Sequence, residues 1–287
     1  MTLEVREPQA TLAKKICREF EVFQDQPAVG IGGSCAKGFA DRFSDLEVGV
    51  FWPNVPSNDA LNGYLEKLDA TITRKLYFEE PSFRAVHNVV IDSFPVDVVH
   101  QTTENFDRYL NKVVTEEIVE EHQQTIMSLA TSFIPLLGKD TFLRWKGVAS
   151  KYTETYRQKS LEAALKFSVD GYMLLAAQRN DIIIFQQKTI NCLKGIVKTL
   201  YAINKRYFPG SKHMVANLTS LPNKPEDLVS KMEQITRSSP FESWKLTRAL
   251  ILETLDILAL EMPDYDVQEL RERLDMNRRQ VPNHPVL

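Results

Sequence analysis

The stretch that decides the fold is GIGGSCAKGFADRFSDLEVGVFW, residues 30–52. It begins at the end of an apolar run, 27–31, which predicts a short strand leading into a tight turn at residues 32–34. It ends in DLEVGVFW, whose side chains alternate between the two faces of a second strand. Asp45 and Glu47 are two residues apart on this strand and therefore project from the same face. The stretch predicts two carboxylates held on rigid backbone next to a turn of small residues.

Paired carboxylates beside a glycine turn suit chemistry on a nucleoside triphosphate. In nucleotidyl transfer, two metal ions about 3.5–4 Å apart can hold the attacking and leaving oxygens together. Mg²⁺ prefers hard oxygen ligands, which Asp45 and Glu47 would supply. A turn containing Gly33 and Ser34 lets backbone N–H groups approach phosphate oxygens closely. The spacing therefore favours a site for a triphosphate and its metal ions.

Two basic residues lie between the turn and the second strand. Lys37 and Arg42 could offset phosphate charge, although side chains of this kind are more often solvated surface charges. Two common phosphate-binding loops are excluded by the glycine pattern. A Rossmann loop would need glycine where Cys35 stands, and a P-loop would need lysine where Phe39 stands.

The rest of the first half mixes helices and strands. Apolar residues at helical spacing predict one helix over 5–23, and a second helix is expected over 58–74. Residues 76–100 are rich in strand formers, and the turn sequence Asp-Ser-Phe-Pro at 92–95 predicts two antiparallel strands. The second of these strands holds a single acid, Asp97, inside an apolar run.

The sequence changes character after about residue 103, and no further strand is predicted. Apolar residues follow helical spacing around 193–203 and 244–258. Ser-Pro-Phe-Glu at 239–242 is typical of a capped helix start with proline at the first position. The second half therefore predicts a set of helices.

At 287 residues, the chain is long enough for two domains. We expect a twisted mixed sheet with helices on one side over residues 1–140. An α-helical bundle is expected over residues 141–287. The predicted fold class is α+β.

The order of apolar strand, Gly-Ser, ten-residue gap and Asp-x-Glu resembles the DNA polymerase β-type nucleotidyltransferase superfamily. Within it, the chain is similar to small bacterial members such as the kanamycin and lincosamide nucleotidyltransferases. Those enzymes pair a nucleotidyltransferase domain with a C-terminal helical domain. The resemblance implies that Gly33 and Ser34 bind phosphate and that Asp45 and Glu47 bind metal. Two departures are Glu47, where many relatives carry aspartate, and Lys37, where arginine is frequent.

The same family takes a third carboxylate from a later strand. Asp97 has the expected setting, and Asp92, just before the turn, is the weaker alternative. The segment LYAINKRYFPGSK, 200–212, resembles part of the helical domain of uncharacterised bacterial relatives. That resemblance implies that Lys212 could reach the triphosphate; the alternative, a solvated loop lysine, carries equal weight.

Together these implications give a Mg²⁺-dependent nucleotidyltransferase. Asp45, Glu47 and Asp97 would bind two Mg²⁺ ions, while the glycine turn and Lys212 hold the NTP, which the resemblance implies is ATP. An acceptor hydroxyl would attack the α-phosphorus and pyrophosphate would leave. The alternative class is a nucleotide-binding or partner-binding module that keeps the fold without turnover.

Neither the general base nor the acceptor is identified by the sequence. Glu79, Glu80 and Glu162 are conceivable bases, and nothing singles one out. The acceptor could be a small molecule, a protein or an RNA end. The formal net charge of −3 disfavours a broad basic footprint for duplex nucleic acid. A homodimer is left open.

Composition restricts where such a protein works. Three widely spaced cysteines without a CxxC motif fit a reducing cytosol and argue against a structural zinc site. The sequence contains no run of 18 apolar residues, the length that would suggest a membrane span. The first residues mix charges, unlike those of a signal peptide. We therefore expect a cytoplasmic protein that does not enter a membrane.

Overall fold

The computed structural model describes residues 7–77, 83–165 and 171–275; the candidate bases at positions 79 and 80 lie outside them. The chain divides into two compact units. The first takes in the described residues up to Tyr152 together with Pro209–His213, and the second takes in the rest. The first unit thus extends past the predicted boundary at 140 and includes a short segment from the second half of the sequence.

The first unit alternates helices and strands along the chain. In order, its elements are α1 (Glu7–Glu21), β1 (Ala28–Ile31), α2 (Gly33–Lys37), β2 (Leu46–Trp52), α3 (Asn58–Lys67), β3 (Thr71–Tyr77), β4 (Phe83–Ile91), β5 (Phe94–Thr102), α4 (Thr103–Glu116), α5 (Glu121–Ser132), β6 (Ile134–Leu137) and α6 (Lys139–Ala149). The strands form one sheet in the order β3-β4-β5-β2-β1-β6. Only the central β2–β5 pair is parallel; the other described pairs are antiparallel. The predicted α+β class with a mixed sheet is confirmed.

One face of the sheet packs against α1 and α3. The even-numbered residues of β2, from Leu46 to Trp52, are buried on this face. Phe20 of α1 meets Trp52 edge-on at a ring-centroid distance of 5.8 Å and lies 4.9 Å from Tyr64 of α3. The predicted amphipathic first helix is present, and its apolar stripe, including Leu12, faces this core.

A polar network is enclosed in the same core. The Tyr64 hydroxyl lies 2.9 Å from His87 Nδ1, and Trp52 Nε1 donates to His100 Nδ1 at 3.2 Å. Both histidines are fully buried. Burial lowers the pKa of His87 from 6.5 to about 4, with a smaller effect from Lys75. Both imidazoles are therefore neutral at physiological pH, since burial also lowers the pKa of His100 well below its ordinary value.

The other face is covered as well, which makes the prediction of helices on one side wrong. Phe51 of β2 is buried there among four aromatic rings, with centroid distances of 4.6–5.8 Å. Those rings belong to α4, the end of α5 and α6: Phe106, Phe133, Phe142 and Trp145. A large apolar side chain on the second face needs cover, because exposing it forfeits its hydrophobic burial. This packing also explains why α6 belongs to the first unit.

Two strands were missed, and both lie at an edge of the sheet. The predicted helix over 58–74 ends earlier: Asp69 is in the left-handed region (φ 51°) and β3 begins at Thr71. Strand β6 contradicts the prediction that no strand follows residue 103. Its Pro135 lacks an N–H group, which an edge strand tolerates. The predicted antiparallel pair at 76–100 is confirmed, with its two-residue turn at 92–93.

In its described residues, 153–165, 171–208 and 214–275, the second unit contains helices joined by loops and no strand. Its helices are α7 (Glu154–Ala164), α8 (Gly171–Arg179), α9 (Ile182–Ile203), α10 (Met214–Thr219), α11 (Leu228–Arg237), α12 (Pro240–Glu261) and α13 (Gln268–Asp275). The predicted helix start at Ser239 and Pro240 is confirmed, but the Ser239 side chain makes no capping hydrogen bond. No helix in the described part of the chain is long and apolar enough to cross a membrane.

Candidate active site

The parallel pair of strands at the centre of the sheet sets two carboxylates side by side. Glu47 of β2 and Asp97 of β5 are direct partners in the strand register. Both are half-buried, whereas their neighbours Leu46 and Val96 are fully buried on the opposite face. Asp45 immediately precedes β2. Strand alternation therefore places the three predicted acids on the same side of the sheet.

The glycine turn lies directly against Glu47. The Gly32 N–H donates to the Glu47 carbonyl oxygen at 2.9 Å. Gly33 has φ +59°, and a Cβ there would lie 2.4 Å from Glu47 Cδ and 2.6 Å from both carboxylate oxygens. Only glycine leaves room for this contact. The predicted tight turn is thus the start of α2, where Ser34 follows in a buried position.

The charges around Glu47 show which predicted residues come together. Burial raises the pKa of the Glu47 carboxyl above 4.5, and the Asp45 carboxylate raises it further. Lys212 lowers it, Asp97 raises it and Lys37 lowers it, in decreasing order. Four other residues predicted for the site therefore lie within electrostatic range of Glu47.

Lys37 projects from α2 toward the same site. Burial lowers the pKa of its ammonium group from 10.5, and the Glu47 carboxylate opposes that change. Lys37 and Glu47 carry opposite charges, so each favours the ionised form of the other. This attraction offsets part of the free-energy cost of burying the two charges.

Lys212 reaches the site from the second half of the sequence. It lies in Pro209–His213, which belongs to the first unit. Within that segment Gly210 has φ +87°, and a Cβ on it would make ordinary contact with Thr125 of α5 at 3.6 Å. The side chain of Lys212 is exposed, yet its charge is the second-largest electrostatic influence on Glu47, after that of Asp45.

Arg42 and Asp92 have other partners. The guanidinium carbon of Arg42 lies 4.5 Å from the centroid of the Phe43 ring. Asp92, the weaker alternative for the third acid, is exposed in the β4–β5 turn and pairs with Lys15 at 2.8 Å. Of the two candidates for the third acid, Asp97 is therefore the one that lies beside Glu47.

Two neighbours of the acids were missed by the sequence argument. Asn88 of β4 pairs with Asp97 in the strand register, and its Nδ2 donates to Asp97 Oδ1 at 2.5 Å. Cys35 is buried, and its thiol donates to the Asp45 carbonyl at 3.4 Å. Asn88 carries a weak signal, a polar residue on an apolar strand, which acquires meaning only once the register is known.

The acids have the right chemistry for Mg²⁺ but do not converge on one point. Carboxylate oxygens are the hard ligands that Mg²⁺ prefers, and the backbone at Gly33 lies directly against the Glu47 carboxylate. However, no three His, Cys, Asp or Glu side chains in 7–77, 83–165 and 171–275 are arranged to hold a metal ion. The donor set fits the metal by type, and binding would require the carboxylates to move toward one another.

Comparison with known proteins adds little to this description. No protein-family model matches the sequence, and no curated protein matches it. One similar solved structure is that of a nucleotidyltransferase-like protein from Exiguobacterium sibiricum 255-15. The likeness covers 93% of this chain and 88% of that chain, with a TM-score of 0.37 and 11% sequence identity. Similarity at this level carries no inference about function, so the case for a function rests on the residues of this chain.

Proposed function

We propose that this protein is a Mg²⁺-dependent nucleotidyltransferase. It transfers a nucleoside monophosphate, with AMP from ATP as the expected case, to a hydroxyl acceptor and releases pyrophosphate. The observation that carries the proposal is the in-register pair of Glu47 and Asp97, with Asp45 in electrostatic range and Gly33 against the Glu47 carboxylate.

The balance of charge supports a role for divalent cations. Three carboxylates and two lysines give the site a formal charge of −1, from −3 and +2. Such a site repels a triphosphate unless cations are present. Asp45, Glu47 and Asp97 would hold Mg²⁺, which when bound neutralises the triphosphate and aligns the attacking oxygen with the leaving oxygen.

The chain's own groups bind and orient the substrates. The backbone at Gly33 and Ser34 would donate to phosphate oxygens, while Lys37 and Lys212 offset their charge. The acceptor oxygen forms a bond to the α-phosphorus, the bond from that phosphorus to the bridging oxygen breaks, and pyrophosphate leaves with the electron pair. The proton of the acceptor hydroxyl is released to solvent. Positioning and charge stabilisation supply most of such catalysis.

One observation favours the second candidate, a nucleotide-binding module without turnover. Asp97 Oδ1 already accepts a short hydrogen bond from Asn88. No set of three ligands is gathered for a metal within the described ranges. A module of this kind would bind ATP and release no pyrophosphate.

A single assay separates the two candidates. The protein is incubated with ATP, Mg²⁺ and a panel of hydroxyl-bearing metabolites, antibiotics, peptides and RNA ends. Pyrophosphate is measured, and adenylylated products are identified by mass spectrometry. We expect Asp97→Asn to abolish product and the matched variant Asp92→Asn, an exposed acid on the same hairpin, to retain it. ATP binding without pyrophosphate for any acceptor would favour the module.

A further inference from the structure

The loop between α2 and β2 holds its backbone in a fixed conformation. Asp41 Oδ1 accepts from the Phe43 N–H and from the Ser44 hydroxyl, each at 2.9 Å. The Ser44 hydroxyl oxygen in turn accepts from the Asp41 N–H at 2.9 Å. These bonds form a local turn of the kind that aspartate and serine favour. The backbone of Phe43 is therefore positioned even though its side chain faces water.

Phe43 is an exposed aromatic residue with a cation on its ring. Its relative exposure is 78%, and the Arg42 guanidinium lies 4.5 Å from the ring centroid. Single exposed apolar residues are common on proteins and need no explanation. Here the ring combines a fixed backbone and a stacked cation with a position two residues before Asp45.

The loop that carries Phe43 leads directly into Asp45, one of the three acids of the candidate site. Two residues span at most about 7 Å of chain, so the Phe43 backbone lies that close to Asp45. The Phe43 N–H and the Ser44 hydroxyl lower the pKa of Asp41, and His213 adds a smaller effect in the same direction. His213 directly follows Lys212. The loop therefore lies near both the acids and the segment that carries Lys212.

We propose that Phe43 stacks against the nucleobase of the NTP, with Arg42 supporting the ring. This inference rests on the proposed function and names the part of the substrate that the loop recognises. The positive charge of Arg42 favours an anionic ligand such as a nucleotide over a cationic acceptor. Stacking accepts any base, because every base has a π-face. The site should therefore bind nucleoside triphosphates with little discrimination between their bases.

The test measures binding by calorimetry with Mg²⁺ and no acceptor. Two probes are used: ATP, and inorganic tripolyphosphate, which lacks a base. We expect Phe43→Ala to weaken ATP binding by about five- to a hundredfold and to leave tripolyphosphate binding unchanged, while Phe43→Trp keeps ATP affinity. Phe241→Ala is the matched control, because Phe241 in α12 is also exposed (45%) and has Lys245 at 4.7 Å from its ring.

Any other result of these binding measurements contradicts either the stacking proposal or the proposed function. Equal ATP binding by Phe43→Ala and wild type overturns the stacking proposal. Equal losses for ATP and tripolyphosphate overturn it as well, since the ring would then only support the loop. Wild-type protein that binds neither probe contradicts the proposed function itself. The melting temperature of Phe43→Ala should equal that of wild type, because the removed ring is exposed.

Discussion

Replacing Gly33 with alanine should disable the site while the fold survives. At φ +59°, a residue with a Cβ costs roughly 1–2 kcal/mol. The new Cβ would lie 2.4 Å from Glu47 Cδ, against about 3.5 Å for an ordinary contact, so the carboxylate must move by about 1 Å. It can move, because it is the tip of a flexible side chain. A displacement of about 1 Å can cost roughly a hundredfold in rate.

The expected result is therefore a large loss of activity with a small loss of stability. Pyrophosphate release measures kcat/KM, and urea unfolding measures the free energy of unfolding. Gly63→Ala is the control: Gly63 lies in α3 with nothing within 4 Å of an added Cβ. That variant should keep full activity and gain roughly 0.5–1 kcal/mol of stability.

A double-mutant cycle isolates the contact itself. In a Glu47→Ala background the added Cβ of Gly33→Ala no longer meets a carboxylate. The loss in free energy of unfolding should then be only the cost of placing a Cβ in the left-handed conformation. Wild-type kcat/KM for Gly33→Ala would refute the reasoning. A stability loss well above about 2 kcal/mol would refute it differently, because the backbone rather than the carboxylate would have moved.

Substitutions at three positions test the charges. Glu47→Gln should abolish transfer yet stabilise the protein at neutral pH. The pKa of Glu47 is raised in the folded state, so its ionisation lowers the free energy of unfolding once pH exceeds 4.5, and glutamine does not ionise. This gain should disappear below pH 4 in thermal melts, and a pH-independent gain would contradict the assignment. Lys212→Ala should weaken ATP use roughly ten- to a hundredfold in steady-state kinetics, with Lys212→Arg restoring part; unchanged kinetics would place Lys212 outside the triphosphate site. His87, with its pKa lowered to about 4, should make stability fall by about 3 kcal/mol as pH drops from 6.5 to 4. In urea titrations, the stability of His87→Gln should fall less than that of wild type between pH 6.5 and 4. An equal fall would exclude His87 as the cause of this pH dependence.

Local sequence patterns were sufficient where one strand or turn determines the geometry. The alternation of β2 correctly assigned its two faces, and Gly33 of the predicted glycine turn adopts the left-handed conformation. Contacts between residues that lie far apart in the sequence could not be predicted from local patterns. Asn88 becomes recognisable only once β4 is in register with β5. The stacking of Arg42 on Phe43 is a choice among side-chain conformations that spacing does not encode.

The missed strands share a physical cause. Strand β3 is mostly exposed, so it lacks the apolar alternation that identifies a strand. Strand β6 has four half-buried residues, too few to show a period. Local patterns could not indicate that the first unit runs past residue 140, because α6 is a helix like those that follow it. Only the burial of its Phe142 and Trp145 beside Phe51 assigns it to the sheet.

The first unit is discontinuous along the chain, and this affects the order in which a ribosome supplies its parts. All six strands have been synthesised by residue 137, and the unit's first segment ends at Tyr152. Lys212 is synthesised 60 residues after Tyr152 (212 − 152), which takes about 3–12 s at 5–20 residues per second. During that interval, of the two lysines that act on Glu47, the nascent chain contains Lys37 and still lacks Lys212. The proposed catalytic centre is therefore completed by translation of the second half, and a prematurely terminated chain would contain the sheet without a finished site.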